Sequence, residues 1–250
     1  MVARRIHIGT SGWSYDHWQG LFYPEGLAAD QRLACYARYL RTVEINSSFY
    51  QLPSSDAVLH WHDSVPDDFV FAVKASRYIT HMKKLTDPRR TVKRFIGRVK
   101  ELRDKLGPIL FQLPPRWHIN LERLSAFLKV LPQDYRFAIE FRDPSWFDPR
   151  VYDLLTEHAV AFCIFDLNGV LSPMEATADF IYMRLHGPNG SYRGQYDDQT
   201  LIAWADTIKR WRREGREVYC YFDNDEAAYA VQDAMRLQKK VRHGRRNPAV

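Results

Sequence analysis

The sequence predicts a single (β/α)8 barrel of the TIM type with long loops after its strands. Eight short apolar runs alternate with seven clear amphipathic segments along the 250 residues. Successive runs begin roughly 25 to 35 residues apart, which is the size of one βα unit. Several runs end in charged side chains, as expected at the carboxyl ends of barrel strands, where active sites are found.

The eight strands are predicted from runs rich in branched and aromatic residues. Most carry apolar residues on both faces, which is typical of parallel strands covered by helices. Pro114 and Pro115 are expected to end the fourth run, because proline cannot continue a ladder. In chain order the predicted strands are Ile6–Thr10, Thr42–Asn46, Phe69–Lys74, Ile109–Leu113, Arg136–Phe141, Val160–Phe165, Phe180–Leu185 and Glu217–Phe222.

The helices are predicted from apolar residues spaced three and four apart. Ser54, Asp148 and Asp225 are candidate caps for the helices that follow them. After the sixth strand, Leu167–Ala178 is interrupted by glycine and proline, and the sequence does not clearly predict a helix there. The predicted helices are Asp30–Leu40, Ala57–Asp63, Pro88–Lys105, Leu121–Leu131, Tyr152–Glu157, one from Asp197 to Gly215, and a last one that includes Ala230 and Leu237.

A doubly wound sheet is the competing architecture, since it also alternates strands and helices. It would normally carry a glycine-rich phosphate turn after the first strand. The segment GTSGWS lacks the G-x-G-x-x-G spacing of that turn. The barrel is therefore the preferred prediction.

The cysteines and the absence of long apolar segments predict a cytoplasmic protein. Cys35, Cys163 and Cys220 are far apart and show no C-x-x-C spacing, so neither a disulfide framework nor a thiolate zinc site is indicated. No segment approaches the ~20 apolar residues of a membrane span, and the amino terminus does not resemble a signal peptide. We expect no membrane association, and the sequence indicates no oligomeric state.

The formal charge of +6 comes from the carboxyl end of the chain. Without the six basic residues from Arg236 onward, 30 basic residues balance 30 acidic ones. We therefore predict a barrel domain over residues 1–238 and a basic, disordered tail over 239–250. This tail is the expected contact for any nucleic acid, although a solvated terminus that aids solubility is the simpler interpretation.

Seven long motifs occur in order between about Ile6 and Leu237: GTSGWSYDHWQGLFYP, TVEINSSFYQLP, FAVKASRYITH, KLGPILFQLPP, AIEFRDPSWF, RLHG and YFDND. Together they resemble the YecE-like family, domain of unknown function seventy-two. The resemblance implies a TIM-type barrel in a bacterial cytosolic protein without an established activity. The chain departs from the family where YFDND replaces a more usual Asn-Asn-Asp ending, so Asp223 adds a negative charge.

The polar ends of the strands form the candidate catalytic site. Glu44 and Glu140 are candidates for an acid/base pair, because carboxylates in different environments can hold different protonation states. Each could instead pair with a base such as Lys74 or Arg142. His186 could act as a general base, a hydrogen-bond donor or a metal ligand. Lys74 could be an amine nucleophile, although an ion pair or an anion contact is the expected role.

The remaining candidates are predicted to bind the substrate. Arg142 and Arg184 carry planar donors suited to a carboxylate or phosphate. Aromatic residues are frequent in the proposed front loops, where rings could stack on a sugar or base, although most should form small cores within the loops. The predicted binding set is Trp13, Asn46, Tyr50, Lys74, Arg142, Trp146, Asp166, Arg184 and Asn224.

These residues favour an enzyme that applies carboxylate acid/base chemistry to a small anionic substrate, whether phosphorylated or carboxylated. Hydrolase, lyase and isomerase are equally compatible with them. A non-catalytic or RNA-associated binding protein is the alternative, and a metal-dependent hydrolase is the third hypothesis. No cofactor is predicted. Glu44, Glu140, Asp166 and His186 together would suffice for a divalent metal site, but the sequence contains no close ligand motif such as H-E-x-x-H.

Overall fold

A computed structural model describes residues 5–242, and these residues form a barrel of eight parallel strands. Seven α-helices and one short additional strand occur among them. The strands are β1 (Ile6–Thr10), β2 (Thr42–Ile45), β3 (Val70–Lys74), β4 (Leu106–Gln112), β5 (Phe137–Glu140), β6 (Ala161–Leu167), β7 (Val170–Leu171), β8 (Phe180–Leu185) and β9 (Glu217–Phe222). The predicted barrel is confirmed.

The parallel strands follow the order β1, β9, β8, β6, β5, β4, β3 and β2 around the ring. A parallel bridge between Ser11 and Glu44 joins the two ends of this order. There the Gly12 N–H donates to the Glu44 carbonyl at 2.8 Å. Consequently, the carboxyl ends of all eight strands surround one face of a nearly closed barrel.

The helices begin largely where the sequence supplies caps. The side chains of Ser54, Asn120, Asp148 and Asp197 each accept a hydrogen bond from a backbone N–H in the first turn of the helix that follows. The helices are α1 (Arg32–Tyr36), α2 (Ser55–Asp63), α3 (Pro88–Val99), α4 (Leu121–Leu128), α5 (Pro149–Glu157), α6 (Asp198–Arg213) and α7 (Tyr229–Arg242).

Several predicted boundaries are wrong, and one predicted helix cap is absent. Helix α1 is only five residues long, and α3 gives way to a 3-10 segment at Lys100–Lys105. Strand β4 begins at Leu106, before Gly107-Pro108, because the pairing with β3 shifts register there and tolerates a residue without an N–H. Asp225 does not cap α7, since its carboxylate accepts from the Trp18 indole at 2.6 Å.

The unit after the sixth strand contains a hairpin and, over the described residues 168–179, no helix. Strand β7 pairs antiparallel with the end of β6. Asn168 and Gly169, with φ of 55° and 72°, occupy the two turn positions. Both positions favour the Asn-Gly pair, because positive φ suits glycine and asparagine. Beyond the hairpin, the Ser172 and Thr177 hydroxyls accept from the Phe165 and Phe162 N–H groups of β6.

The core has two layers, one between the sheet and the helices and one inside the barrel. Small side chains inside the barrel leave room for tyrosines from β8 and β9. The interior layer comprises Ala72, Leu110, Ala138, Ala161, Cys163, Ala178, Phe180, Tyr182, Tyr219 and Tyr221. Above it, towards the carboxyl ends of the strands, the inward positions become polar.

The described part of the basic C-terminal segment belongs to helix α7. This helix runs to Arg242, and its Leu237 is completely buried. Arg236 pairs with Asp233 and Asp198, both at 2.7 Å, and Lys240 lies 3.1 Å from Asp198. The rest of the predicted tail, residues 243–250, lies outside the described residues. None of the helices described is long and apolar enough to cross a membrane.

Close packing at the seam between β1 and β2 generates the first prediction. A Cβ at Gly9 would lie 2.1 Å from the Thr42 carbonyl oxygen, so Gly9→Ala must force the two backbones apart. We expect a loss of about 2 kcal/mol or more of unfolding free energy in urea titrations. Gly97→Ala is the matched control, because Gly97 is a helical residue of α3 and a Cβ added there would have nothing within 4 Å. That change should stabilise the protein by roughly 0.5–1 kcal/mol, and equal effects of the two substitutions would contradict the tight seam.

Candidate active site

The polar site is built around the guanidinium of Arg184, which is completely buried near the end of β8. The Arg184 side chain points into the barrel because residues two apart on a strand share a face, and Tyr182 lies on the inward face of β8. Side chains from or just after four other strands converge on it. We call the resulting set the Arg184 cluster: Ser11, Glu44, Glu140, Arg184, His186 and Asp223.

Three carboxylates surround Arg184. Its Nη2 lies 2.9 Å from Glu44 Oε1 and 2.8 Å from Asp223 Oδ2. Its Nη1 donates to Glu140 Oε2 at 3.0 Å. The pKa of Arg184 lies well above its ordinary value: burial opposes the charge, but the fields of Glu44, Glu140 and Asp223 outweigh that opposition. The guanidinium is therefore a permanent cation that orients carboxylates from three strands.

Glu44 is held by neutral donors as well as by Arg184. The Tyr182 hydroxyl donates to Glu44 Oε2 at 2.6 Å, and the Ser11 hydroxyl donates to Oε1. Arg184 Nη2 in turn donates to Ser11 Oγ at 3.0 Å. Since the Glu44 side chain has no exposed surface, these contacts replace its hydration and fix its orientation.

Glu140 remains an ionised carboxylate in a completely buried position. Burial acts to raise its pKa, but Arg142 and Arg184 lower it more, to about 2. The Arg142 Nε lies in ion-pair contact with Glu140 Oε1, and the Arg142 guanidinium also lies 5.3 Å from the Phe165 ring centre. Glu140 is thus an anion at neutral pH and holds two arginines.

His186 is a neutral imidazole enclosed by the cluster. Burial, reinforced by Arg184, lowers its pKa well below its ordinary value. Its Nε2 accepts from Arg142 Nη2 at 3.1 Å, which assigns the proton of the neutral ring to Nδ1. Nδ1 lies 3.2 Å from Asp223 Oδ2, although it is not aligned as a hydrogen bond. Burial raises the pKa of Asp223, against the opposing field of Arg184.

Lys74, at the end of β3, lies beside this cluster and is only 7 % exposed. Its Nζ lies 4.3 Å from the centre of the Phe49 ring. Within residues 5–242 it makes no hydrogen bond or ion pair to an acidic side chain. Burial, followed by the field of Arg184, lowers its pKa to about 8, although Glu44 and Glu140 act in the opposite direction. Lys74 is therefore the cation of the site without a close anionic partner.

The rim beside Lys74 is electropositive. The pKa of His81 is lowered by burial and then by the fields of Lys74, Arg77 and Arg142, without a carboxylate among the causes. The Arg142 side chain is 8 % exposed. Just after β2, the buried Asn46 Oδ1 has no hydrogen-bond partner within the described residues. The surroundings of Lys74 and His81 therefore present cations beside the Arg184 cluster.

Comparison with known proteins assigns the chain to a family. Residues 7–249 match the model of the protein of unknown function DUF72. The chain belongs to the DUF72 family. It is 34 % identical to the protein YecE of Escherichia coli over 146 residues, which cover 57 % of this chain and half of YecE. It is 25 % identical to YunF of Bacillus subtilis, with 93 % of each chain covered.

A solved structure shares both the family and the fold. The DUF72 family protein of Thermotoga maritima superposes with a TM-score of 0.87 and 28 % identity, over 95 % of this chain and 99 % of that chain. The predicted resemblance to the YecE-like family is confirmed. Because that family is defined without a function, the chemistry of this DUF72 barrel rests on its own residues.

The predicted aromatic binding residues have different environments. Trp146 is completely buried and stacks on Phe141, with ring centres 4.9 Å apart, so it packs in the core and does not line an open surface. Trp13 is also buried and meets Trp61 edge-on. Tyr50 is 70 % exposed. Of these three predicted ligand contacts, only Tyr50 offers a free ring face.

Two other predicted binding residues hold loops together. Asn224 is completely buried, and its Nδ2 donates to the Gly194 carbonyl at 2.8 Å and to Asp233 at 2.9 Å. It therefore fixes the loop after β8 against α7. The Asp166 carboxylate accepts from the Tyr196 hydroxyl at 3.0 Å, and burial raises its pKa. Within the described part of the chain, neither side chain hydrogen-bonds to a side chain of the Arg184 cluster, so the four-residue metal set is not assembled.

Three members of the site were not predicted as site residues. Ser11 and Asp223 follow β1 and β9 directly, and they carry the same signal as the other polar strand ends. Tyr182 could have been found from its two-residue spacing to Arg184.

Across residues 5–242, no group of three or more His, Cys, Asp or Glu side chains has an arrangement suited to a metal ion.

The ionised state of Glu140 predicts a specific acid sensitivity. A pKa of about 2 in the folded protein is depressed below the ordinary value of 4.5, so this stabilisation is fully present above about pH 4.5 and is lost as the pH falls through 2. The shift corresponds to at most about 3 kcal/mol. We expect Glu140→Gln to lower the unfolding free energy at pH 7 and to flatten its fall between pH 5 and pH 2 in urea titrations.

The exposed Glu157 at the end of α5 provides the control. Glu157→Gln should retain the steep acid dependence of the wild type. If Glu140→Gln also retained it, the assigned ion pairs would not determine the acid stability of the fold.

Proposed function

We propose that this DUF72 protein is an enzyme that binds a small anionic substrate at the carboxyl face of its barrel. The observation that carries the proposal is the partly accessible cationic rim formed by Lys74 and Arg142, in which Lys74 has no close anionic partner among residues 5–242. A substrate carboxylate or phosphate would supply that partner.

The energetic cost of the Arg184 cluster also supports a function. Burying three carboxylates and an arginine requires each ion to lose its hydration, and apolar side chains of similar volume are often at least as stabilising. The interior of the same barrel is apolar one layer below. Lys74, Glu140 and His186, whose pKa values are all strongly shifted, lie together here, and such a grouping is characteristic of active sites.

The contacts suggest a division of roles within the site. Glu44 and Glu140 are engaged by Arg184, so we assign them to orientation and to stabilising positive charge, in place of the proton transfer expected from the sequence. Proton transfer is assigned to Asp223, because burial raises its pKa, while Lys74, whose pKa is lowered to about 8, is assigned to direct contact with the substrate. His186 fixes Arg142 through its Nε2.

Because all three cysteines are free thiols, we also propose that the protein works in the reducing cytoplasm.

Binding of simple anions to the full chain tests this proposal. Acetate, glyoxylate and inorganic phosphate should be titrated by calorimetry and by thermal unfolding at pH 7. A bound anion at about 100 times its dissociation constant should add roughly 2.7 kcal/mol, or about 5–10 °C in a domain of this size. We expect Lys74→Met and Arg142→Met to weaken this effect at least tenfold in dissociation constant, whereas Lys93→Met on the exposed face of α3 should not.

Two results would overturn the proposal. In one, none of the three anions binds to the folded wild-type protein. In the other, an anion binds with equal affinity to the wild type, Lys74→Met and Arg142→Met, which would locate the site elsewhere.

A further inference from the structure

We infer that Lys74 is a nucleophilic amine that forms an imine with a carbonyl group of the substrate, so that the substrate is a small oxo acid or a similar anionic carbonyl compound. The inference rests on the proposed function and specifies its chemistry. It is carried by the position of the Lys74 amine, which lies against an aromatic ring at a strand end and lacks the partners that satisfy a structural lysine.

The second buried lysine shows what a structural role requires. Lys105 is 3 % exposed, and its Nζ donates to the carbonyls of His62 and Val65, both at 2.8 Å. Lys74 has no such bond among residues 5–242, and its Nζ faces the Phe49 ring. No acceptor among the described residues therefore fixes a proton on the Lys74 amine, and the burial of its side chain favours the uncharged form.

The protonation of Lys74 agrees with this geometry. With a pKa of about 8, about a tenth of the amine is unprotonated at pH 7. The corresponding fraction for an ordinary lysine is about 0.04 %, roughly 200-fold less. The charged groups whose fields act on the amine are Arg184, Glu44, Glu140 and Asp223, while His81 and Arg142 lie on its rim side.

The reaction needs no oxidant or metal. The amine lone pair attacks the carbonyl carbon, a C–N bond forms, and the carbonyl oxygen takes a proton to give a carbinolamine. Loss of a proton from nitrogen and of water from carbon then gives the imine. The carboxylate of Asp223, whose field acts on the Lys74 amine, can relay the proton lost from nitrogen to the departing oxygen. The carboxylates of Glu44 and Glu140 stabilise the positive charge of the protonated imine, and Arg142 holds the substrate anion.

Reductive trapping tests the inference. The full chain is incubated at pH 7 with sodium cyanoborohydride and either glyoxylate, which is an anionic aldehyde, or propanal, which is neutral. Peptide mapping by mass spectrometry then gives the rate of modification at each lysine. We expect glyoxylate to modify Lys74 at least ~10-fold faster than the exposed Lys93, because its free-amine fraction is larger. We also expect a preference for glyoxylate over propanal at Lys74 that is absent at Lys93.

Two variants separate nucleophilicity from charge. Lys74→Arg keeps the cation but not the reactive amine, so it should retain the thermal shift with acetate and lose the trapped adduct. Lys74→Met should lose both. Circular dichroism and the melting temperature without ligand establish that each variant is folded before it is compared.

The outcomes distinguish this inference from the proposed function. If acetate and glyoxylate bind but all lysines react at the same rate, imine formation is overturned and anion binding stands. If Lys74 reacts selectively with both aldehydes and no anion binds, imine formation stands and anion recognition is overturned. If neither occurs, both are overturned.

Discussion

The buried Arg184 guanidinium is the interaction on which the carboxyl face of this barrel depends. A cation with no exposed surface needs anions around it, and Glu44, Glu140 and Asp223 supply them from three strands. The charges of this cluster then influence the protonation of Glu140 and His186. Glu140 remains ionised between Arg184 and Arg142. His186 remains neutral because burial disfavours its charged form and Arg184 places a positive charge beside it.

Lys74 is the exception within this electrostatic arrangement. The carboxylates nearest to the centre are already engaged by Arg184, so they leave Lys74 without a direct partner in the described chain. The aromatic ring of Phe49 stabilises a cation less than a carboxylate does. The reactivity that we propose for Lys74 depends on this difference from Lys105, whose amine is bonded to two carbonyls.

The sequence predicted the fold because each βα unit carries its own local signals. Capping residues such as Ser54 and Asp148 identified helix starts, and apolar runs located all eight barrel strands. The polar strand ends also identified most of the Arg184 cluster. What the sequence could not supply was partner choice, which depends on tertiary distances: Trp146 and Asn224 resemble binding residues until their burial is known. The Asn168-Gly169 pair is a local turn signal, but the glycine and proline around it fit an irregular loop equally well.

The two glutamates also occupy particular positions in the sheet. Pairing between β5 and β6 is limited to two residue pairs, and β1 meets β2 mainly through the bridge at Glu44. The ring therefore consists of two arcs, one from β2 to β5 and one from β6 through β9 to β1. Arg184 belongs to the second arc and binds Glu44 and Glu140, which lie on the two outer strands of the first. Ion pairs from Arg184 thus connect the two arcs of the barrel at both places where they meet. A reaction that changes the charge at the site therefore also changes the free energy that holds the two arcs together.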